Sequence, residues 1–207
     1  MGVLNQYSAN ECGEMKRSGK WFLIDRDMNL RSLQYKVVNE SKLLFGRRIL
    51  SPDIGSRGFP PYPEKPRVQF DLRLSPKARD MEWCDAYWLI SDRLKNVFAN
   101  LDSEAFVFME CETAYPGGDV APKYWLCDVI RMLDAVDEER SNVDIRVQGE
   151  TKVYQLYGHT RFVFKEDVVC GSHIFRLKYR PGSVCCDAAL RSACIGAKIL
   201  GVSFREI

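Results

Sequence analysis

The sequence predicts an α+β fold built on a mixed or mainly antiparallel sheet. Two observations carry that prediction. Short segments of β-type composition outnumber helical ones along the whole chain. The helical segments fall singly among them, without the regular strand–helix alternation of a parallel α/β fold. A third observation concerns strand type: Val68-Gln69-Phe70-Asp71-Leu72-Arg73-Leu74 alternates apolar and polar residues throughout, as a strand with one wet face does.

Taken in order, residues 1–19 read as a loosely ordered arm. Lys20 to Asp25 reads as a strand closed by the turn residues Arg26-Asp27-Met28-Asn29. Leu33 to Val38 and Leu43-Leu44-Phe45 read as a second and a third strand. From Gly46 to Arg67 the composition changes. Pro52, Pro60, Pro61, Pro63 and Pro66 fall there with Gly46, Gly55 and Gly58. Proline fixes φ and withholds a ladder donor, so the stretch reads as a connection. It divides the chain into an N-terminal strand-containing segment, 1–66, and an α+β domain, 67–207. A long surface loop within one domain is the alternative.

After the Val68–Leu74 strand, Met81 to Ala86 leads into the stretch from Tyr87 to Arg140, on which the chain is organised. Ser91 is a fitting N-cap, because its hydroxyl can accept an orphan amide of the first turn. Asp92 places negative charge where the helix dipole favours it. Leu94, Val97, Phe98 and Leu101 then share one helix face. Phe106-Val107-Phe108-Met109 reads as a buried strand. Pro116-Gly117-Gly118-Asp119 reads as an exposed, mobile and polar turn. Tyr124 to Val136 is open to two readings. Trp125, Val129, Met132, Leu133 and Val136 fit a helix face, while Trp125-Leu126-Cys127 and Val129-Ile130 suit strand; the strand reading, broken near Asp134, is preferred.

Val143–Val147 and Val153–Tyr157 flank Gly149-Glu150 and predict a hairpin. Phe162-Val163-Phe164 and Ile174 to Leu177 predict two further strands, and Arg180-Pro181-Gly182-Ser183 a turn. Asp187 caps a helix over Ala188 to Cys194 that Gly196 stops. Leu200 to Phe204 predicts the last strand.

Composition narrows the function. The chain has 207 residues, 46% hydrophobic and 28% charged, with a net charge of +2. A chain of that length can bury a core without metal or disulfide support. So balanced a charge argues against electrostatic capture of nucleic acid. No run approaches the roughly 18 apolar residues of a membrane span. The polar start of the chain does not read as a signal peptide. The eight cysteines lie mostly in apolar segments and are therefore expected to be reduced thiols of a cytoplasmic protein.

Chemistry is sparse. Cys170, His173, Cys185 and Cys186 form the one cluster with approximate metal-ligand spacing, but paired C-x-x-C knuckles are absent, so no metal or other cofactor is expected. His159 and His173 stand alone, without a nucleophile elbow, a zincin motif or a phosphate loop. Paired carboxylates are the more available chemistry: Glu110 and Glu112, with Asp119 across the loop, and Asp134 and Asp137, three apart; yet any solvated strand end carries such pairs. The Asp137-Glu138-Glu139 run and the Asp80, Glu82 and Asp85 group read as solvated faces or as an acidic patch for a basic partner. Trp83, Tyr87, Trp88, Tyr115, Tyr124 and Trp125 are of types enriched at interfaces. Trp88 and Trp125 read as core.

Four segments, in order, carry a family resemblance: Tyr87-Trp88-Leu89-Ile90-Ser91-Asp92-Arg93-Leu94; Trp125-Leu126-Cys127-Asp128-Val129-Ile130 with Asp134-Ala135-Val136-Asp137; His173-Ile174-Phe175-Arg176-Leu177; and Gly201-Val202-Ser203-Phe204-Arg205. Over about residues 68–207 the chain resembles a family of bacterial immunity proteins of polymorphic toxin systems, first catalogued as a domain of unknown function. The resemblance implies an antitoxin, made in the cytosol, that binds and neutralises one cognate secreted toxin without catalysis. An enzyme that reverses a toxin's modification, or an interaction module unrelated to toxins, are the competing readings. Loops on a rigid scaffold are where recognition resides. The expected partner-binding residues are therefore Glu110, Glu112, Tyr115 and Asp119.

Overall fold

The computed structural model describes residues 19–44, 46–53, 55–71 and 79–207. In chain order its elements begin with β1 (Trp21–Arg26), β2 (Tyr35–Val37), α1 (Glu40–Leu43), β3 (Arg67–Phe70), β4 (Met81–Cys84), β5 (Tyr87–Ser91) and α2 (Asp92–Asp102). A 3-10 turn leads to β6 (Phe106–Glu110), β7 (Glu112–Ala114), β8 (Tyr124–Val129), β9 (Met132–Leu133), β10 (Asp144–Gln148) and β11 (Thr151–Gln155). The chain ends with α3 (Glu166–Val169), β12 (Ile174–Leu177), β13 (Arg180–Asp187), α4 (Ala188–Gly196) and β14 (Val202–Glu206). This is the α+β class the sequence predicts.

Pairing is mostly antiparallel; β3–β7 and β9–β12 are parallel. A five-stranded sheet runs β14-β1-β13-β12-β9 and a four-stranded sheet β4-β5-β8-β6. A three-stranded sheet runs β2-β3-β7, and β10-β11 form a ribbon. β1 lies between β13 and β14, and β2 pairs with β3. Residues before and after the proline-rich stretch therefore share two sheets.

The alternation of side chains along each strand separates three apolar cores. On β5, Trp88 and Ile90 enter the first core while Tyr87 and Leu89 enter the second. On β1, Phe22 and Ile24 enter the first, while Trp21 and Leu23 pack on the third. The first core lies between the five- and four-stranded sheets, with α2 and α4 packed inside it. Helix α2 enters it because Leu94 and Phe98, one turn apart, share a face. Phe98 stacks on Phe106 at 4.7 Å, a pairing worth about 0.5–1.5 kcal/mol beyond burial. Both predicted caps form: Ser91 accepts from Leu94 N, and Asp187 from Leu190 N.

Several elements differ from expectation. Residues 40–43 form the short helix α1 rather than a strand; Phe45 lies outside the described residues, as do Leu72 to Leu74 of the alternating segment and the arm 1–18. Met81 to Cys84, expected to be a lead-in, is strand β4. Phe162 and Phe164 pack into the third core but make only isolated bridges, Asn142 with Arg161 and Val136 with Phe164. The facing segment turns at 138–140, so no ladder propagates. The Pro181-Gly182 pair does not make the predicted turn, which comes at 178–179. Pro181 is tolerated in β13 because the β12–β13 register shifts between Arg176 and Leu177.

The acidic group around β4 is not the solvated face it resembled. Asp80 and Glu82 are buried. Asp80 accepts from Ser91 Oγ at 2.6 Å, Arg93 Nη2 at 2.6 Å and Leu200 N at 2.7 Å. Glu82 accepts from Arg26 Nη1 at 2.7 Å, Leu33 N at 2.9 Å and Arg79 Nη1 at 3.4 Å. Buried carboxylates of this kind persist only where several donors replace lost water.

Candidate functional site

The four residues singled out in the sequence lie along one segment, divided between two strands and the loop that follows. β6 ends at Glu110 and β7 begins at Glu112, and the two strands belong to different sheets. Cys111 between them is buried, its amide bonded to Tyr124 O at 3.0 Å. Glu110 is clamped between Lys123 at 2.7 Å and Lys65 at 2.8 Å. Hydrogen bonds from Lys123 and then Lys65 hold its carboxyl down at about 2. Glu112 is exposed, and its amide donates to Pro66 O at 2.9 Å.

The Gly-Gly tip is a closed, hydrogen-bonded loop. Tyr115 N donates to Asp119 O at 2.8 Å and Gly118 N to Tyr115 O at 3.1 Å. Both glycines have φ near +100°, at 101° and 94°, a backbone conformation that side chains disfavour. Tyr115 is half-buried against the second core, whereas Asp119 is exposed. Val120 is 89% exposed. The tip therefore offers an apolar residue as well as the polar ones expected.

A second feature lies at the junction of the five- and four-stranded sheets, and the sequence did not signal it. A cavity of about 400 Å³ is lined by β1 (Ile24, Asp25), the β4–β5 hairpin (Trp83, Asp85, Ala86, Tyr87, Trp88), β13 (Pro181, Gly182), Arg57 and Arg176. Behind it lies Asp128 on β8, with no solvent exposure. Arg57 and Arg176 both donate to Asp128 Oδ1, and Gly58 N donates to Oδ2 at 2.7 Å. Arg176 spends its other donors on Val129 O and Pro181 O, both at 2.8 Å. Desolvation, and then repulsion from Arg57, lowers the Arg176 pKa. Arg57 Nε is buried with no acceptor.

The mouth of the cavity is acidic and aromatic. Trp83 is 43% exposed. Its Nε1 donates to Asp25 Oδ1 at 2.8 Å, and the Arg26 guanidinium lies 4.5 Å from its ring centroid. Asp85 turns the β4–β5 hairpin at φ 56° and accepts from Leu50 N at 2.8 Å. Asp is among the few residues that tolerate this conformation. Neither Asp25 nor Asp85 is in an ion pair among the described residues. Of the interface-type aromatics, Tyr87, Trp88 and Tyr124 are buried in the core, Trp125 packs against it, and Trp83 is left at the surface.

The remaining candidates are structural. His173 Nδ1 is 2.8 Å from Asp187 Oδ2, the carboxylate that caps α4. His159 faces Asp144 across 3.4 Å at the surface. Cys84, Cys111, Cys127, Cys185, Cys186 and Cys194 are free, buried thiols. Burial pushes Cys84, Cys111 and Cys194 up to about 12, so they are poor nucleophiles at neutral pH. Cys170 is disulfide-bonded, which departs from the expectation that all the thiols are reduced. Among the described residues no three His, Cys, Asp or Glu side chains gather as metal ligands, and no helix is long and apolar enough to cross a membrane.

The model of the Imm11 immunity protein family matches residues 20–207. The match extends the resemblance, seen in the sequence from residue 68, across the N-terminal strands. No curated protein matches the chain.

Proposed function

The chain belongs to the Imm11 immunity protein family, and on that premise we propose that it binds and neutralises one cognate secreted bacterial toxin by direct protein–protein contact. The family match over nearly the whole chain is the observation that carries this reading. The proposed setting is the cytoplasm of the cell that makes the toxin. Inhibition proceeds by occupancy rather than by catalysis. The buried thiols with raised pKa and the engagement of His173 with a helix-capping carboxylate accord with that.

The segment from Glu110 to Val120 is a proposed contact surface. Glu112, Tyr115 and Asp119, with exposed Val120, meet the toxin. Glu110, occupied by Lys65 and Lys123, holds the segment to the sheet. Co-expression tests the function. The toxin domain encoded beside this chain should kill when expressed alone and be tolerated when this chain is present. Death in both cases would refute the immunity reading.

A further inference from the structure

Resting on the immunity reading, we propose that the cavity between the two sheets receives an acidic side chain of the toxin, one flanked by basic residues on the toxin's own surface.

The floor of the cavity is short of negative charge. Two guanidiniums, Arg57 and Arg176, share the single carboxylate of Asp128. Arg57 Nε is a buried donor lacking an acceptor, and buried donors are nearly always paired. An oxygen anion in the cavity balances the second guanidinium. The mouth has the opposite sign: Asp25 and Asp85 line it, and neither is in an ion pair among the described residues. Positive inside and negative outside, the cavity complements a carboxylate that enters between basic neighbours. The same rim repels a polyanion such as nucleic acid.

The occupant belongs to a protein rather than being a free acid, because the contact surface continues outward from the mouth. Trp83 is exposed beside it, with Arg26 over its ring. Arg26 Nη2 in turn lies 2.7 Å from Met28 Sδ, and Met28 is 65% exposed. Trp and Arg are the residue types that most often anchor interfaces. A cavity of about 400 Å³ readily admits one side chain. This mouth and the Glu110 segment lie on opposite edges of the four-stranded sheet, about 14 Å apart across the strands at the usual spacing and offset along them, since Glu110 is level with Met81 rather than with the hairpin. A single interface of standard size spans that distance.

The test uses capped tripeptides Lys-Glu-Lys, Lys-Gln-Lys and Glu-Lys-Glu, titrated while the Trp83 indole resonance is followed. Lys-Glu-Lys should bind at least five-fold more tightly than either other peptide. Arg57→Met should abolish that preference. Gly182→Leu should block binding while leaving Asp128, Arg57 and Arg176 unaltered, and a Cβ at Gly182 meets nothing within 4 Å. Against the toxin domain, each folded variant should bind at least ten-fold more weakly than wild type. Equal binding of the three peptides, or wild-type toxin affinity in both variants, overturns the proposal. If wild type protects in co-expression while both variants bind toxin normally, the cavity proposal alone fails. If wild type does not protect, the immunity reading fails.

Discussion

Arg79 lies directly against Gly201: a Cβ on Gly201 would sit 2.7 Å from Arg79 Nε and 3.1 Å from Met81 O. The Arg79 guanidinium donates to Asp27 O at 2.6 Å and to Leu30 O and Arg31 O at 3.1 Å. Asp27 N donates in turn to Gly201 O at 2.9 Å. One buried cation thus ties the turn after β1 to the start of β14. Only a glycine allows the approach, and φ at Gly201 is +88°.

Gly201→Ala should therefore destabilise the protein by at least about 2 kcal/mol, combining a strained backbone with displacement of Arg79. Urea unfolding should show a lower midpoint at an unchanged slope. A midpoint equal to wild type would show that Arg79 moves aside freely.

Asp128→Asn leaves two buried guanidiniums sharing a neutral partner. Breaking a buried pair in this way costs about 3–5 kcal/mol. Equilibrium denaturation of Asp128→Asn, Arg176→Met and the double variant measures the coupling. The double variant should be more stable than the sum of the two losses implies. Strict additivity would mean that the groups act independently.

Glu110 makes part of the stability acid-sensitive. Its carboxyl is depressed from 4.5 to about 2 by Lys123 and Lys65. A depressed carboxyl stabilises fully above its unfolded value and loses that contribution as pH falls through the folded value. The stability difference between wild type and Glu110→Gln should thus be constant above about pH 5 and shrink as pH falls from 4.5 to about 2. Thermal melts of both proteins across that range check it. A difference independent of pH would rule out the ion pairs as its source.

Replacing Glu112, Tyr115 and Asp119 together with alanine should weaken toxin binding about ten- to one-hundred-fold, as loss of one or two interface anchors does, in a protein that still unfolds cooperatively. Calorimetric titration with the toxin domain measures it. Wild-type affinity in the triple variant would remove the loop from the interface.

The legible parts of the fold are those written at short range. Ser91 and Asp187 reach an amide three residues ahead, so each helix start can be read from a few letters. β6, β8, β12 and the β10–β11 ribbon follow from apolar runs and turn residues. The failures occur where a distant partner outweighs local composition. Pro181 and Gly182 read as a turn but lie in a strand, because a register shift accommodates them. Phe162 and Phe164 read as a strand but lack a facing ladder. Of the expected contact residues, Glu112 and Asp119 are exposed, while Glu110 is bound by lysines 13 and 45 positions away.

The sequence alone determined the class of fold, the capped helices and the kinship with immunity proteins. All three depend on local periodicity, capping or the order of short segments. Tertiary structure decided which charges are buried and which carboxylates stay unpaired. Asp128 meets Arg57 across 71 positions and Arg176 across 48, and Asp80 meets Leu200 across 120. Burial and ion pairing depend on what the rest of the chain brings alongside, and no local pattern of residues encodes such a neighbour. The cavity with its cationic floor and acidic mouth exists only because two sheets meet there.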